Sequence, residues 1–534
     1  MGILPMKKLT GFLLAATILM GAATPGQAVE FKVRGSWQYA FDYIQGGSFM
    51  GKNRQGQREI GQQWAAVHQK RDNFEAIQRL HLQLHAVASE NLSGTVFFEI
   101  GEQRWGMAAQ GGALGADGGN MVKIKQSYLD WRVPGTGLKL RMGLQGMKLP
   151  GFAMDSPVLH DDLAALSAAW TFSPKVTASA AWMRLLNDNW QGDASRPANF
   201  IDNFDLVALT VPVTLDGLKF TPWAMAGGMG PNSLMPATVT GMPGGSKKFT
   251  LNNPMASTQG IDGLQLRDGL YPAAFSTRRT GSSIWDDEYS TLYWGGITGD
   301  WTALDPFRVR ADFVYGGVKR QHEYLNRQGW YGMLVMEYAT DWGLPGIYGW
   351  YFSGDDDNPH NGSERLPYIA TTNNLHNSLS TFGYRGNPSM GGAKGVLGTN
   401  PSGTWGIGAR VKDLSFLENL RHTLRLNYFG GTNSPEMAKY ITGRKAEDGA
   451  GRQIYRNNTD FNSFGTYLTT EDKGMEINLD STFKATENLN FFVNLGYIHL
   501  WLDKDVWGRY QNTSGDSLNV ADAWKASLTV VYSF

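Results

Sequence analysis

The chain ends on DAWKASLTVVYSF, residues 522–534. Trp524, Ala526, Leu528, Val530, Tyr532 and Phe534 share one parity, while Ala523, Lys525, Ser527, Thr529 and Ser533 share the other. Successive side chains of a strand point to opposite faces, so this segment is a strand with one apolar and one wet face. A soluble domain usually lets its last residues trail off as a polar, loosely ordered tail. Here a large apolar side chain holds the final position, and the fold must supply something for that face to meet.

The same alternation returns along the chain. In EFKVRGSWQYAFDY (30–43), Phe31, Val33, Trp37, Tyr39, Phe41 and Tyr43 oppose Glu30, Lys32, Arg34, Ser36, Gln38 and Asp42. Leu80, Leu82 and Leu84 oppose Arg79, His81, Gln83 and His85, and Leu138, Leu140, Met142 and Leu144 oppose Lys139, Arg141 and Gln145. Phe307, Val309, Ala311, Phe313 and Tyr315 oppose Arg308, Arg310 and Asp312. A helix would need apolar residues three and four apart. The middle of the chain alternates less cleanly.

The connections alternate too. Short turns near Ser89, Pro134, Ser173, Thr214, Asp305, Asp341 and Ala485 take turns with long Gly/Asn/Asp-rich stretches at 46–72, 106–121, 228–287, 355–403 and 432–467. Short periplasmic turns and long extracellular loops are the pattern of an all-β transmembrane antiparallel barrel. With a further turn in DLSFLENL after Lys412, the expected count is about 18 strands, with about 16 as the alternative. In such a barrel the apolar face meets lipid, the wet face lines a lumen, and closure leaves no unpaired edge in hydrocarbon. Tyr532 and Phe534 then belong to the periplasmic aromatic girdle, and Tyr39, Phe41 and Tyr43 approach the opposite one. A soluble sandwich or propeller would also bury one face, but it needs neither the alternating connections nor its last strand to close a ring.

MKKLTGFLLAATILMGAATPGQA (6–28) has Lys7 and Lys8, an apolar run, and Gly26 and Ala28 at the cleavage positions. It reads as a signal peptide spanning 1–28, followed by a single barrel domain over 29–534. The 48 basic and 48 acidic residues balance; loss of Lys7 and Lys8 leaves a formal charge of −2. Neither nucleic-acid binding nor a polybasic membrane foot is suggested. The absence of cysteine excludes disulfides and thiol or Cys-zinc chemistry. With 66 glycines, 18 Trp, 21 Tyr and 26 Phe, and no mature apolar run near 20 residues, the composition favours all-β over a helical membrane protein.

The signal peptide, the first strand VEFKVRGSWQYAF and the last strand LTVVYSF together resemble a Gram-negative trimeric porin. FEAIQRLHLQLHAVASENLSGTVFFEIGEQRWG and LKLRMGLQGMKLPGFAMDSPVLHDD are similar in particular to the homotrimeric porins of sulfate-reducing bacteria. The resemblance is strongest from Val29 to Phe172 and at the C-terminus, and weak in the long loops. It implies a homotrimer in the outer membrane, in contact with lipid and lipopolysaccharide, and recognition of Phe534, with Tyr532, by the barrel-assembly machinery.

The resemblance also implies that the third extracellular loop folds into the barrel and sets its acids against basic wall residues. The matching stretch is LPGFAMDSPVLHDD, with Asp155, Asp161 and Asp162. Wall candidates on the wet parity are Arg34, Arg79, Lys139, Arg141, Arg308, Arg310 and Arg425. Opposed charges can sort ions without chemistry. The alternative is that Asp155-Ser156-Pro157 is only a turn and the arginines only keep the lumen wet. This loop is short beside that of the better-known general porins, so the long loops after Gly227 and Ser353 are expected to complete the constriction.

Outer-membrane proteases and phospholipases are the enzyme alternative, but no Ser/His/Asp or paired-acid arrangement stands out. His81 and His85 would lie roughly 13 Å apart along a strand, a poor metal pair. Asp355, Asp357 and Glu364 in GDDDNPHNGSE offer oxygen ligands for Ca²⁺ without EF-hand spacing; a solvated acidic loop is the simpler reading. No cofactor is expected. The function expected is passive diffusion of ions and small hydrophilic solutes, with a substrate-selective porin for sugars or organic acids as the alternative and an adhesive or structural barrel as a third reading.

Overall fold

The computed structural model describes residues 29–46, 73–108, 111–116, 122–187, 203–230, 269–273, 288–371, 380–382, 400–442, 445–447, 453–455, 467–507 and 522–534. The expected signal peptide, 1–28, lies outside the described residues. Eighteen strands form one ring. They are β1 (Glu30–Gln45), β2 (Asn73–Val87), β3 (Leu92–Arg104), β4 (Val122–Arg132), β5 (Leu138–Lys148), β6 (Leu159–Ser173), β7 (Val176–Asn187), β8 (Asn203–Thr210, resumed at Val213–Leu215) and β9 (Leu218–Met229). The ring continues with β10 (Ser290–Trp301), β11 (Phe307–Lys319), β12 (Arg327–Tyr338), β13 (Leu344–Phe352), β14 (Thr404–Leu417), β15 (Leu420–Gly431), β16 (Lys473–Lys484), β17 (Leu489–Trp501) and β18 (Ala523–Ser533).

Every neighbouring pair is antiparallel, and β1 pairs with β18 as well as β2, which closes the barrel. β8 is interrupted at Pro212, which has no N–H to give the ladder. Alternate connections are turns of two to five residues, and those on the other side run from seven residues (320–326) to 60 (230–289). Glu30, at the start of β1, and the C-terminal residues lie on the short-turn side. In the two-residue turn Glu418–Asn419, Asn419 adopts φ 64°, a left-handed conformation that asparagine tolerates.

The last strand has the expected parity. Ala523, Lys525, Ser527 and Thr529 are buried, whereas Trp524 and Tyr532 are exposed on the outer face. The terminal residue extends the seam: Gly35 N donates to Phe534 O and Phe534 N to Gly35 O, both at 3.0 Å. The Phe534 ring covers Gly35 and lies 5.0 Å from the Trp37 ring. A Cβ on Gly35 would stand 2.4 Å from Phe534 Cζ, so the terminal ring occupies the space that a side chain there would need.

The interior departs from a uniformly wet lumen. The inward faces of β7 to β13 carry Met183, Phe204, Leu206, Met225, Leu292, Trp294, Val318, Val335 and Phe352, all at most 2% exposed. They pack with Met154, Val158, Leu270, Leu366 and Ile369 from loops that enter the barrel. This half of the barrel therefore has an exposed apolar face outside and a protein-like core inside. Apolar residues are needed on both faces, which is why alternation weakens in the middle of the chain.

Candidate constriction and lumen

The connection between β5 and β6, residues 149–158, turns inward because its apolar side chains have the loop core to join: Leu149, Ala153, Met154 and Val158 are buried. Its backbone amides must then find acceptors away from water. Asp312, on the inward face of β11, provides them. Phe152 N, Ala153 N and Met154 N donate to its carboxylate at 2.9, 3.0 and 2.9 Å, and the Tyr331 hydroxyl donates at 3.0 Å. Phe152 N also reaches Thr298 Oγ1 at 2.7 Å, and Arg310 donates to Phe152 O at 3.4 Å. The loop is thus held across the lumen by a wall carboxylate that accepts from main chain.

Described segments of both long loops also enter the barrel. Residues 269–273, between β9 and β10, and 353–369, after β13, are stitched together by Arg327 at the start of β12. Its guanidinium, in a residue only 1% exposed, donates to Tyr271 O (3.1 Å), Arg365 O (3.1 Å) and Leu366 O (3.0 Å). Ile369 N donates to Val158 O at 2.9 Å, and Ala370–Thr371 pairs in parallel with Leu159–His160. Further along, Ser380 Oγ and Thr381 N donate to Glu476 on β16 at 2.7 and 2.8 Å, while Lys525 Nζ donates to Thr381 O at 3.1 Å.

The three acids expected on the constriction loop have separate placements. Asp155 is on the loop and pairs with Lys148. Asp161 and Asp162 are already in β6. Asp162 accepts from Gln126 at 2.7 Å and lies 4.0 Å from Lys125, so it stands beside the Glu99 cluster and not on the loop.

The basic candidates stand on the inward parity, paired with acids of adjacent strands. Arg141 grips Asp130 with two bonds of 2.7 and 2.8 Å, and Lys139 lies 3.3 Å from the same carboxylate. Arg308 chelates Asp300 at 2.8 and 2.6 Å; Arg310 pairs with Glu337, and Arg425 with Asp480. Arg79 lies 3.4 Å from Glu99, which also meets His81 (3.1 Å), Lys123 (3.3 Å) and Lys125 (3.6 Å). A register shift between β3 and β4 makes Lys125 the extra residue of a bulge, so Lys123 and Lys125 both reach Glu99. Arg34 is exposed near the short-turn end of β1. Arg141 and Asp155, which a charged gap would set face to face, each have a different partner.

Sequence reasoning placed Asp312 on the wet face but missed its role, and it missed Arg327 and Glu337. The available signal was an isolated charge beside apolar inward positions, as in ADFVYGGV.

GDDDNPHNGSE is only partly a solvated loop. Asp355 is buried, accepting from Ser363 Oγ at 2.5 Å and from Tyr467 OH at 2.6 Å, whereas Asp356 and Asp357 are exposed. Burial and the adjacent Asp355 push the Tyr467 phenol well above its ordinary range. Burial, with Asp355 and Asp356 nearby, also raises the Glu364 carboxyl. Among the described residues no group of three or more His, Asp or Glu side chains converges as a metal cage.

No family model matches the sequence, and no curated protein matches it. Solved structures similar to the fold are outer-membrane proteins of Pseudomonas aeruginosa. OccK9 (OpdG) is 11% identical with a TM-score of 0.48, covering 95% of this chain and 98% of its own. OpdK, crystallised with vanillate, is 10% identical with a TM-score of 0.45, covering 94% and 98%. OpdQ is 11% identical with a TM-score of 0.44, covering 94% and 98%.

Proposed function

We propose that the chain is an outer-membrane porin, a water-filled channel for passive diffusion of ions and small hydrophilic solutes. The observation that carries this reading is the division of the closed ring. Its outer face is apolar with aromatic edges, and inside, the loop core against β6 to β13 leaves charged and polar inward faces on β14 round to β5 and at the short-turn ends of β10 to β12. A closed barrel with such a wall can conduct without exposing backbone to hydrocarbon. A substrate-selective porin for sugars or organic acids is the second reading, supported by inward-folded loops that narrow the lumen.

The exported signal peptide, the homotrimer, contact with lipopolysaccharide and recognition of Phe534 by the assembly machinery belong to the same proposal and are supported by the sequence resemblance. No catalytic role is proposed. Planar-bilayer recording of the purified barrel is the test. Stable ohmic conductance with many small ions supports a general pore, and saturable block by one class of solute favours the selective reading. A folded barrel that never conducts would sink both.

A further inference from the structure

We infer that the channel selects for small anions through a cationic ring at its periplasmic mouth; the inference rests on the porin reading. Glu337, the last residue but one of β12, is met by Arg310, by Arg410 at 2.8 Å and by Lys412 at 3.7 Å. Three cations thus surround one carboxylate. On a different part of the ring Asp130, two residues before the end of β4, holds Lys139 at 3.3 Å and Arg141 at 2.7 Å, two cations for one acid. Both groups face inward beside short turns.

Exposure decides which sign the water meets. The side chains of Lys412, Lys139 and Arg141 are 34, 40 and 30% exposed, against 2% for Glu337 and 15% for Asp130. The acids lie beneath and the surplus cations stand in front of them. The competing charges are Glu90, Asp216, Asp305, Asp341, Glu418 and Glu487, exposed at the turn tips, with Glu30 and Asp413 exposed at the adjoining strand ends. Those stand outside the lumen, where electrolyte screens them beyond about 8 Å, whereas low-dielectric walls focus the field of the inward set. The inward cations therefore dominate along the path of an ion. Their position on one side of the constriction also makes the current through oriented channels asymmetric in voltage at low salt.

The test is the reversal potential of the full mature barrel in a planar bilayer under a KCl gradient. The chloride-to-potassium permeability ratio should exceed 1 severalfold near 0.1 M and approach 1 near 1 M, as the Debye length falls from about 10 to about 3 Å. Lys412→Glu and Lys139→Glu, on separate parts of the ring, should each lower the ratio about twofold or more at low salt, and the double variant should fall below 1. Heat-modifiable gel migration verifies folding, and either variant suffices if the other fails to fold. Folded, conducting wild-type channels with a ratio at or below 1 would overturn the inference alone, as would ratios unchanged in both folded variants. Absence of any conductance would overturn the porin reading and this inference with it.

Discussion

Asp312 shows how much one side chain can fix. The buried loop at 149–158 needs acceptors for three consecutive amides, and a carboxylate offers enough lone pairs for them and for the Tyr331 hydroxyl. Asp312→Ala would leave the buried N–H groups of Ala153 and Met154 without their acceptor, at about 1–3 kcal/mol each, while Phe152 N keeps Thr298 Oγ1. The barrel ladder does not depend on these bonds, so the expected outcome is a folded channel with a loosened loop. Single-channel conductance and its noise should rise, and Asp312→Asn, which keeps one acceptor oxygen, should lie between. Conductance and noise identical to wild type in both would show that the loop is held by other contacts. The terminal residue is a second single-site case. Deleting Phe534, or filling its space with Gly35→Val, should cut the yield of heat-modifiable folded barrel, because the two changes remove the same ring-over-glycine contact at the closing seam. Normal yield in both variants would count against that contact.

Among the strands, parity is informative only where one side is wet. On β2 the register sets Leu82 opposite Gly35 and Phe98 on the outer face, with Gln83 opposite Arg34 on the inner one. Arg on the lipid face costs from about 0–1 kcal/mol near the interfaces to about 2–4 kcal/mol at the midplane, and is tolerated in a lumen. Leu82→Arg should therefore reduce folding while Gln83→Arg changes mainly conductance; equal folding defects would mean the register is wrong. Leu206 on β8 is inward like Gln83, yet it is 0% exposed beneath the loop core. Leu206→Ala should cost about 2–5 kcal/mol, as in a soluble core, measured by urea-driven unfolding from vesicles. A loss below about 1 kcal/mol would show that this wall is wet. The strand count and the alternation of turns and loops were legible because each short turn ends a two-residue pattern. The face assignment of β7 to β10 was not, since two apolar faces erase that pattern.

For the whole molecule, the loop core makes the lumen eccentric. The basic wall residues named from parity do stand on the inner face, because a strand that is wet on one side announces which side it is. Their partners were not legible: a salt bridge such as Arg310 with Glu337 depends on which strands are neighbours, and the Asp312 contact joins positions 158–160 residues apart. The absence of native cysteine allows the resulting geometry to be mapped without background. Gln38 and Gln83 lie on the polar wall and are partly exposed, whereas Met225 and Leu292 face inward under the loops at 1% and 0% exposure. Single cysteines at Gln38 and Gln83 should react quickly with a small charged thiosulfonate added to open channels and should alter the current as they do. Cysteines at Met225 and Leu292 should remain unlabelled until the barrel is denatured, because no water reaches them through the packed loops. Rapid labelling at all four positions would mean that water fills the whole cross-section and that the loops do not pack against β7 to β13; labelling at none would place the conducting path elsewhere.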